Sequence, residues 1–357
     1  MMQRERQPVT LAEAEIEALL QDLVAVPSPS YHEAEAVRLL VDWMASHGYD
    51  RAFVDEAGNA VGIIGQGTRD IILLGHIDTF GGFPTVHVDG RRLYGRGAVD
   101  AKGALSTFAA AAAQAQLSPD VRLIVVGAVE EECPTSKGAR HIAAHYRPEG
   151  CIIGEPSNWD RITLGYKGRL LLEWSWRGGL GHSAGQIETP AERAVAYWTQ
   201  VQAYAAAYNT ERPRTFEQLG VTLQDLNTGR DGAHGWATMT VGFRLPPGVL
   251  PDALAAALPT DDSASIRAYG HEVAYVAEKD TALSRALRGA IRLEGGSPAF
   301  VHKTGTSDMN IVGQVWGCPM LAYGPGDSAL DHTPDEHIDL DEYLLAVRVL
   351  AGALGRL

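Results

Sequence analysis

The sequence is poor in cysteine and in long hydrophobic runs, and it has no excess of positive charge. Its 357 residues include three cysteines, Cys133, Cys151 and Cys318, without CxxC spacing, which predicts a reducing cytoplasm and no disulfide framework. No apolar run reaches the roughly 18 residues of a membrane span, and the polar residues 1–9 predict no signal peptide. The net charge of −14 argues against a nucleic-acid partner. We therefore expect a cytoplasmic protein that binds neither nucleic acid nor membranes.

The order of the predicted elements indicates two domains. Over residues 1–165, apolar runs typical of buried strands alternate with helical patterns, which favours an α/β domain with a mixed sheet. The pattern then changes to a strand at 170–176, a helix at 189–208, two strands, a short helix and a last strand. This β-α-β-β-α-β order is typical of a ferredoxin-like α+β domain. We predict a larger domain formed by 1–165 and 276–357, into which a smaller domain, 166–275, is inserted.

The stretch from residue 70 to residue 103 combines a buried strand with side chains that can bind a metal. The apolar run at 70–74 predicts a strand, and His76 and Asp78 follow it. Residues two apart on an extended strand point to the same side, so an imidazole and a carboxylate share one face at the end of the strand. Asp100 then precedes an alanine-rich helix. A histidine with a carboxylate neighbour and a second, free carboxylate is typical of a zinc site.

Further ligand-type side chains follow other predicted strands. Glu130, Glu131 and Glu132 come directly after an apolar run, where unpaired carboxylates are costly unless a cation compensates them. The remaining candidates are Glu155, after another apolar run, and His332, near the C-terminus. Mixed imidazole and carboxylate ligands suit zinc, cobalt or manganese. Two metal ions bridged by one carboxylate are a common hydrolytic arrangement.

These motifs, in this order, resemble those of a known enzyme family. The segments GHIDT, GRGAVDAKG, EEE, GEPS and DHTPDE are similar to those of the di-zinc amidohydrolases and peptidases that include acetylornithine deacetylase, succinyl-diaminopimelate desuccinylase and carboxypeptidase G. The resemblance covers nearly the whole chain. It implies a zinc-exopeptidase-like catalytic domain, an inserted lid and dimerisation domain, and a homodimer.

The resemblance also implies a role for each ligand-type residue. It assigns two Zn²⁺ per subunit, with Co²⁺ as an alternative, to the ligands His76, Asp100, Glu132, Glu155 and His332. Asp100 would bridge the two ions, Asp78 would orient His76, and Glu131 would act as the general base. Glu130 stands where the family usually has aspartate, which leaves the register of the three adjacent glutamates open.

The resemblance extends to the inserted domain. The segment 178–184 is similar to the family's GxxGH segment, whose histidine, here His182, reaches the active site of the partner subunit and helps to hold the oxyanion. Arg244 matches an arginine that grips the substrate carboxylate. Gly305 and Thr306 belong to a loop that resembles one contributing main-chain donors near that carboxylate.

Two features narrow the resemblance to one branch: the short separation of His76 from Asp100, and the segment GPGDSALDHTPDEHI. That branch releases lysine or ornithine from an amino-group carrier protein in lysine or arginine biosynthesis, by cleaving the amide on the α-amino group. Deacetylation of N-acetyl-lysine or N-acetylornithine and dipeptide hydrolysis are alternatives, because the motifs do not separate these reactions. An aminopeptidase and a non-catalytic metal-binding scaffold of the same fold are further alternatives.

A carrier-linked lysine leads to two expectations about specificity. Its side-chain amine needs an acidic partner, which Asp308 or Asp327 could supply. An acidic carrier protein needs basic residues at the rim of the site, and Arg91, Arg92 and Arg96 lie between the first two predicted ligands.

Overall fold

The computed structural model describes residues 8–82, 84–180 and 187–357. The chain divides into two compact units. The first is formed by Met1–Gly165, Ala277–Val301 and Ser307–Leu357, and the second by Tyr166–Val276 and His302–Thr306. Within the described ranges, no helix is both long enough and apolar enough to cross a membrane.

Helices and strands alternate along much of the chain. The helices are α1 (Glu13–Ala25), α2 (Ala34–Ser46), α3 (Lys102–Gln114), α4 (Lys137–His145), α5 (Pro190–Asn209), α6 (Pro251–Ala257), α7 (Ala282–Leu293), α8 (Asp308–Val312) and α9 (Leu340–Leu354). The strands are β1 (Arg51–Val54), β2 (Ala60–Ile64), β3 (Arg69–His76), β4 (His87–Asp89), β5 (Arg92–Tyr94), β6 (Val121–Ala128), β7 (Gly150–Gly154), β8 (Arg161–Tyr166), β9 (Gly168–Gly179), β10 (Gly220–Asp231), β11 (His234–Leu245), β12 (Ser265–Glu272), β13 (Tyr275–Val276), β14 (Ala299–Lys303), β15 (Met320–Ala322) and β16 (His337–Asp339).

The first unit is built on a mixed sheet that contains the strand order β1-β2-β6-β3-β7-β15-β8. Strand β3 runs parallel to both of its neighbours, β6 and β7, and β15 runs parallel to β7, whereas β2 pairs with β6 antiparallel. Ile72, Leu73 and Leu74 of β3 have no exposed surface, as expected of a strand that is covered on both faces. The predicted α/β class with a mixed sheet is therefore confirmed.

Helix α3 packs closely on this sheet because its side chains are small. Residues 109–113 are alanines without exposed surface. A Cβ atom added at Gly75 of β3 or Gly127 of β6 would meet Leu105 of α3 at 3.4 or 3.2 Å, so these glycines allow the helix to approach the strands. Asp100 lies just before α3, and this packing therefore sets where Asp100 lies.

The second unit contains an antiparallel sheet in the order β10-β11-β9-β12. Along the chain its elements follow the order β9, α5, β10, β11, α6, β12, which is the ferredoxin-like order that the sequence predicts. Alternate residues of β9, Leu170, Leu172 and Trp174, are buried. Tyr197 and Val201 of α5 belong to the same apolar core, so the helix covers one face of the sheet.

Candidate metal centre

Three neighbouring parallel strands bring predicted ligands to one edge of the first unit's sheet. Strand β3 ends at His76, opposite Ala128 at the end of β6, and β7 ends at Gly154. Loops that follow the carboxyl ends of parallel strands meet at the same edge of the sheet. Glu132 follows β6 and Glu155 follows β7. Side chains that are far apart in the sequence therefore meet at this edge.

The five predicted ligands form two groups that share Asp100. The two oxygens of Asp100 face different histidines: Oδ1 lies 3.2 Å from His76 Nε2, and Oδ2 lies 3.0 Å from His332 Nε2. Glu155 Oε1 lies 4.0 Å from His76 Nε2, and Glu132 Oε1 lies 2.9 Å from His332 Nε2. Ligand atoms of His76, Asp100 and Glu132 all lie within 4.8 Å of one another. One carboxylate thus stands between two imidazoles, each with a further carboxylate beside it.

The centre concentrates carboxylates in a small volume. Burial raises the pKa of Glu131 well above its usual range, and the charges of Asp308 and Glu132 raise it further. Burial and the charge of Glu131 likewise raise the pKa of Glu155. A divalent cation relieves such repulsion, and zinc and cobalt accept imidazole together with carboxylate. The residues present therefore fit a divalent metal.

Hydrogen bonds between the central carboxylate and two histidines favour an ionised Asp100 and protonated imidazoles. Burial opposes ionisation of Asp100, but hydrogen bonds with His332 and His76 outweigh it and hold the pKa of Asp100 below its usual range. Hydrogen bonds to Asp100 and Glu132 raise the pKa of His332 to about 10. Metal ligands are neutral imidazoles and ionised carboxylates, so a metal ion would take the place of these protons.

Asp78 holds both a histidine and the glutamate loop. Its side chain is fully buried, with Oδ1 3.5 Å from His76 Nδ1, and it accepts the backbone N–H groups of Glu131 and Glu132, each at 3.0 Å. It also accepts the Ser30 hydroxyl at 2.7 Å. The backbone carbonyl of Asp78 also lies 2.9 Å from His76 Nδ1, and the role of Asp78 in orienting His76 stays a prediction. The Asp78 carboxylate also fixes the loop after β6. Sequence reasoning missed this second contact and missed Ser30, which carries no ligand-type signal of its own.

The three adjacent glutamates have different neighbours. Glu130 accepts the Thr135 hydroxyl at 2.6 Å and lies 3.8 Å from Lys137 Nζ. Glu132 belongs to the ligand groups, and Glu131 lies close enough to them for their charges to shift its pKa. The contacts of the Glu130 carboxylate are therefore with residues that do not belong to the ligand groups. The role of Glu131 as general base stays a prediction.

An aromatic ring beside the centre was not anticipated from the sequence. Phe80 stacks on His332, with ring centroids 4.4 Å apart and planes 11° from parallel. The ring is about half exposed, at 48%, so it covers one side of the imidazole. No sequence signal marks Phe80, because an aromatic residue after a strand has no ligand chemistry.

Two of the three arginines expected at a basic rim have acidic partners within the first unit. Arg96 is only 7% exposed, and its Nη1 lies 2.6 Å from Glu336 Oε2. The expectation that Arg96 contributes to a docking surface is therefore wrong, because a buried, paired cation is not available to a partner. Arg91 Nη2 lies 2.6 Å from Glu17 and 2.8 Å from Asp341, so its charge is largely compensated.

The second unit brings together two of the predicted substrate-binding residues. Arg244 Nη1 donates to Thr306 Oγ1 at 3.2 Å, and Gly305 precedes Thr306 in the same loop. Burial and the charge of Arg244 lower the pKa of Lys167, which indicates a locally positive environment. His182 lies outside the described residues, and its role stays a prediction, as do the roles of Arg244, Gly305 and Thr306.

The mixed α/β fold and the paired imidazole and carboxylate groups are those of a metallohydrolase. The sequence profile of the peptidase family M20/M25/M40 matches residues 72–356, and the chain belongs to this family. The family resemblance that the motifs indicate is therefore confirmed.

Individual proteins support the same conclusion. The chain is 47% identical to a LysW-lysine hydrolase of Deinococcus radiodurans over 350 aligned residues. The alignment covers 95% of this chain and 96% of that protein. A tripeptidase of Staphylococcus aureus superposes with a TM-score of 0.76 at 15% identity, over 97% of this chain and 99% of that one. A Bacillus subtilis protein described as a dinuclear metal binding peptidase of the M20 family superposes with a TM-score of 0.68 at 14% identity, over 96% of this chain and 97% of that one. These two structures show that the fold is shared.

Proposed function

We propose that this protein is a metal-dependent hydrolase of the cytoplasm that releases lysine or ornithine from an amino-group carrier protein, a step of lysine or arginine biosynthesis. The bond cleaved is the amide on the α-amino group of the amino acid. The 47% identity to a LysW-lysine hydrolase, over 95% of the chain, carries this proposal. A non-catalytic scaffold would be supported by the loss of Glu131 or of a ligand, and this chain keeps Glu131 together with all five ligand side chains.

Two divalent ions, zinc or cobalt, would be held by the two ligand groups. The first group is His76, Asp100 and Glu155, and the second is Asp100, Glu132 and His332. When bound, such ions lower the pKa of a water molecule to about 7 and polarise an amide carbonyl.

Glu131 would act as the general base. In this role its carboxylate takes the proton of the attacking water and later returns it to the leaving α-amino group. The contacts of its neighbours support this assignment, because Glu130 accepts a hydroxyl outside the ligand groups and Glu132 contacts His332. Asp78 accepts the backbone N–H of Glu131, which holds the base in place while its side chain stays available.

Arg244 would bind the α-carboxylate of the released amino acid. A guanidinium group donates two parallel hydrogen bonds to a carboxylate, and the contact with Thr306 steadies this side chain. For the side-chain amine, Asp308 has more support than Asp327. Asp308 is buried in the first unit, and its charge raises the pKa of Glu131, whereas Asp327 is exposed and caps a short 3₁₀ turn.

The inserted domain would serve as the lid and dimerisation domain of a homodimer. The match of the segment 178–184 to the family's GxxGH segment supports this role. His182 would then complete the site of the partner subunit by donating to the oxyanion that forms when the amide is attacked.

The experiment that tests the proposal compares kcat/KM for carrier-linked lysine, N-acetyl-lysine and N-acetylornithine side by side. We expect the carrier-linked substrate to be cleaved with much the highest kcat/KM. Arg91 and Arg92 are both exposed, but the charge of Arg91 is compensated by Glu17 and Asp341. Arg92→Glu should therefore lower kcat/KM for the carrier-linked substrate alone, and less so at high salt. Equal kcat/KM for the carrier-linked and the acetylated substrates would favour a deacetylase. Cleavage of dipeptides only when their N-terminus is free would favour an aminopeptidase.

A further inference from the structure

A buried carboxylate that the proposed reaction does not use lies next to the loop of Asp100. Glu336 has no exposed surface, and its Oε1 accepts the backbone N–H groups of Val99 and Asp100 at 3.0 and 3.1 Å. Its Oε2 accepts Arg96 Nη1 at 2.6 Å, and Arg96 Nε donates to the carbonyl of Gly82 at 3.0 Å. Both oxygens of Glu336 therefore hold the short loop that ends at Asp100.

Glu336 also connects two of the predicted ligands. It follows His332 in the segment DHTPDE, and the loop that it holds carries Asp100. Asp100 Oδ2 and His332 Nε2 lie 3.0 Å apart. The backbone N–H of Gly95 donates to the carbonyl of Glu336 at 3.1 Å, which joins the two segments a second time. A shift of either segment would change the distance between these two ligands.

The energetics of burial indicate that this arrangement is not explained by stability alone. A buried ion pair adds little net stability, since the desolvation of two charges offsets their attraction, and apolar residues of the same volume often do as well. An apolar residue cannot accept the N–H groups of Val99 and Asp100. Residues that hold metal ligands in this indirect way commonly change metal affinity by about 10–100-fold when they are replaced.

We propose that Glu336, paired with Arg96, is a positioning residue that fixes Asp100 between His76 and His332 and thereby sets the affinity of the centre for metal ions. This role depends on the metal centre proposed above. Glu336 contacts neither substrate nor metal in this role, and it acts only through the backbone of Asp100 and its loop.

The test measures the affinity of metal-free protein for Co²⁺ by competition with a chromophoric chelator. R96M/E336Q removes both charges but keeps a side-chain carbonyl oxygen for the N–H groups of Val99 and Asp100. R96M/E336L removes the charges and that oxygen. We expect R96M/E336Q to bind Co²⁺ about as the unaltered protein does, and R96M/E336L to bind at least one Co²⁺ about 10–100-fold more weakly. Equal affinities of the two double variants would overturn the proposal.

A third variant keeps the test decisive if R96M/E336L does not fold, as judged by circular dichroism. R96M/E336M fills the space with an apolar side chain of about the length of glutamine, and it cannot accept the N–H groups of Val99 and Asp100. We expect folded R96M/E336M to bind Co²⁺ more weakly than R96M/E336Q, and equal affinities would overturn the proposal.

A matched control replaces another carboxylate that bridges two backbone N–H groups. Glu342 accepts those of Trp159 and Gly326 at 2.9 and 3.1 Å, and neither residue is a predicted ligand. E342L should lower the midpoint of thermal unfolding with little change in Co²⁺ affinity. A loss of affinity as large as that of R96M/E336L would mean general loosening, and would overturn the proposal. If the unaltered protein binds no Co²⁺, the metal centre itself is refuted, and the role of Glu336 with it.

Discussion

Replacing Glu131 by glutamine should remove proton transfer while leaving the fold and the metal ligands of the centre intact. Glutamine has nearly the same size, and the substitution leaves the backbone N–H that Asp78 accepts at 3.0 Å. It also removes one of the carboxylates whose charges raise the pKa of Glu155. The variant should therefore fold, and its metal content should match that of the unaltered protein.

The expected loss of turnover is that of a general base. Such a group contributes about 10²–10⁴-fold to kcat, or about 2.7–5.4 kcal/mol of barrier at about 1.36 kcal/mol per factor of ten. KM should change little, because Glu131 acts on the attacking water and makes no predicted contact with the bound substrate. Steady-state release of free lysine from the carrier-linked substrate, together with elemental analysis of the purified variant, measures both quantities.

The neighbouring glutamate is the matched control. Glu130→Gln alters a side chain whose partners are Thr135 and Lys137, so its turnover should stay close to that of the unaltered protein. If Glu130→Gln is the inactive variant and Glu131→Gln is active, the assignment is off by one residue. If both variants are active, neither glutamate is the base.

Three further outcomes follow from the same contacts. Burial raises the pKa of Glu155, and hydrogen bonds raise that of His332 to about 10. In the metal-free native state His332 therefore keeps its proton at pH values where the unfolded chain has lost it, between about 6.5 and about 10, and this contribution to stability is lost as the pH rises through that range. The gain in Tm on adding Zn²⁺ should grow across this range, because the metal displaces protons, and a shrinking gain would contradict the assignment. Arg244→Ala should lower kcat/KM for carrier-linked lysine by about 10–100-fold, which is the contribution of a hydrogen bond to a charged group. Arg244→Lys should give an intermediate kcat/KM. An unchanged kcat/KM in Arg244→Ala would refute the role of Arg244 in binding the α-carboxylate. Mixed His182→Ala and Glu131→Gln subunits should regain part of the activity, whereas inactive heterodimers would contradict catalysis in trans.

The fold class could be predicted because parallel strands buried on both faces leave continuous apolar runs in the sequence. The runs at 71–74 and 123–126 are the centres of β3 and β6. The same signal pointed to His76, Glu132 and Glu155, since each is a ligand-type residue directly after such a run. The end of a strand and a candidate ligand could be predicted together because these ligand residues lie at or just after the ends of the strands.

Contacts between distant parts of the chain could not be predicted in this way. Arg96 has the pattern of a solvated cation, and only the fold shows that it lies against Glu336, 240 positions away in the sequence. Ser30 reaches Asp78 across 48 positions, and Phe80 covers His332 from another loop. Periodicity and motif spacing indicate the local structure and the chemical type of a residue. The residue that it contacts depends on which loops the sheet brings together.

The most direct measurement is the mass of the intact carrier protein, loaded with lysine and incubated with the metal-loaded enzyme. Its mass should fall by one lysyl residue as free lysine appears in equal amount, and the carrier should stay unchanged with Glu131→Gln. A carrier that keeps its lysine while the same enzyme hydrolyses N-acetyl-lysine would contradict the proposed function.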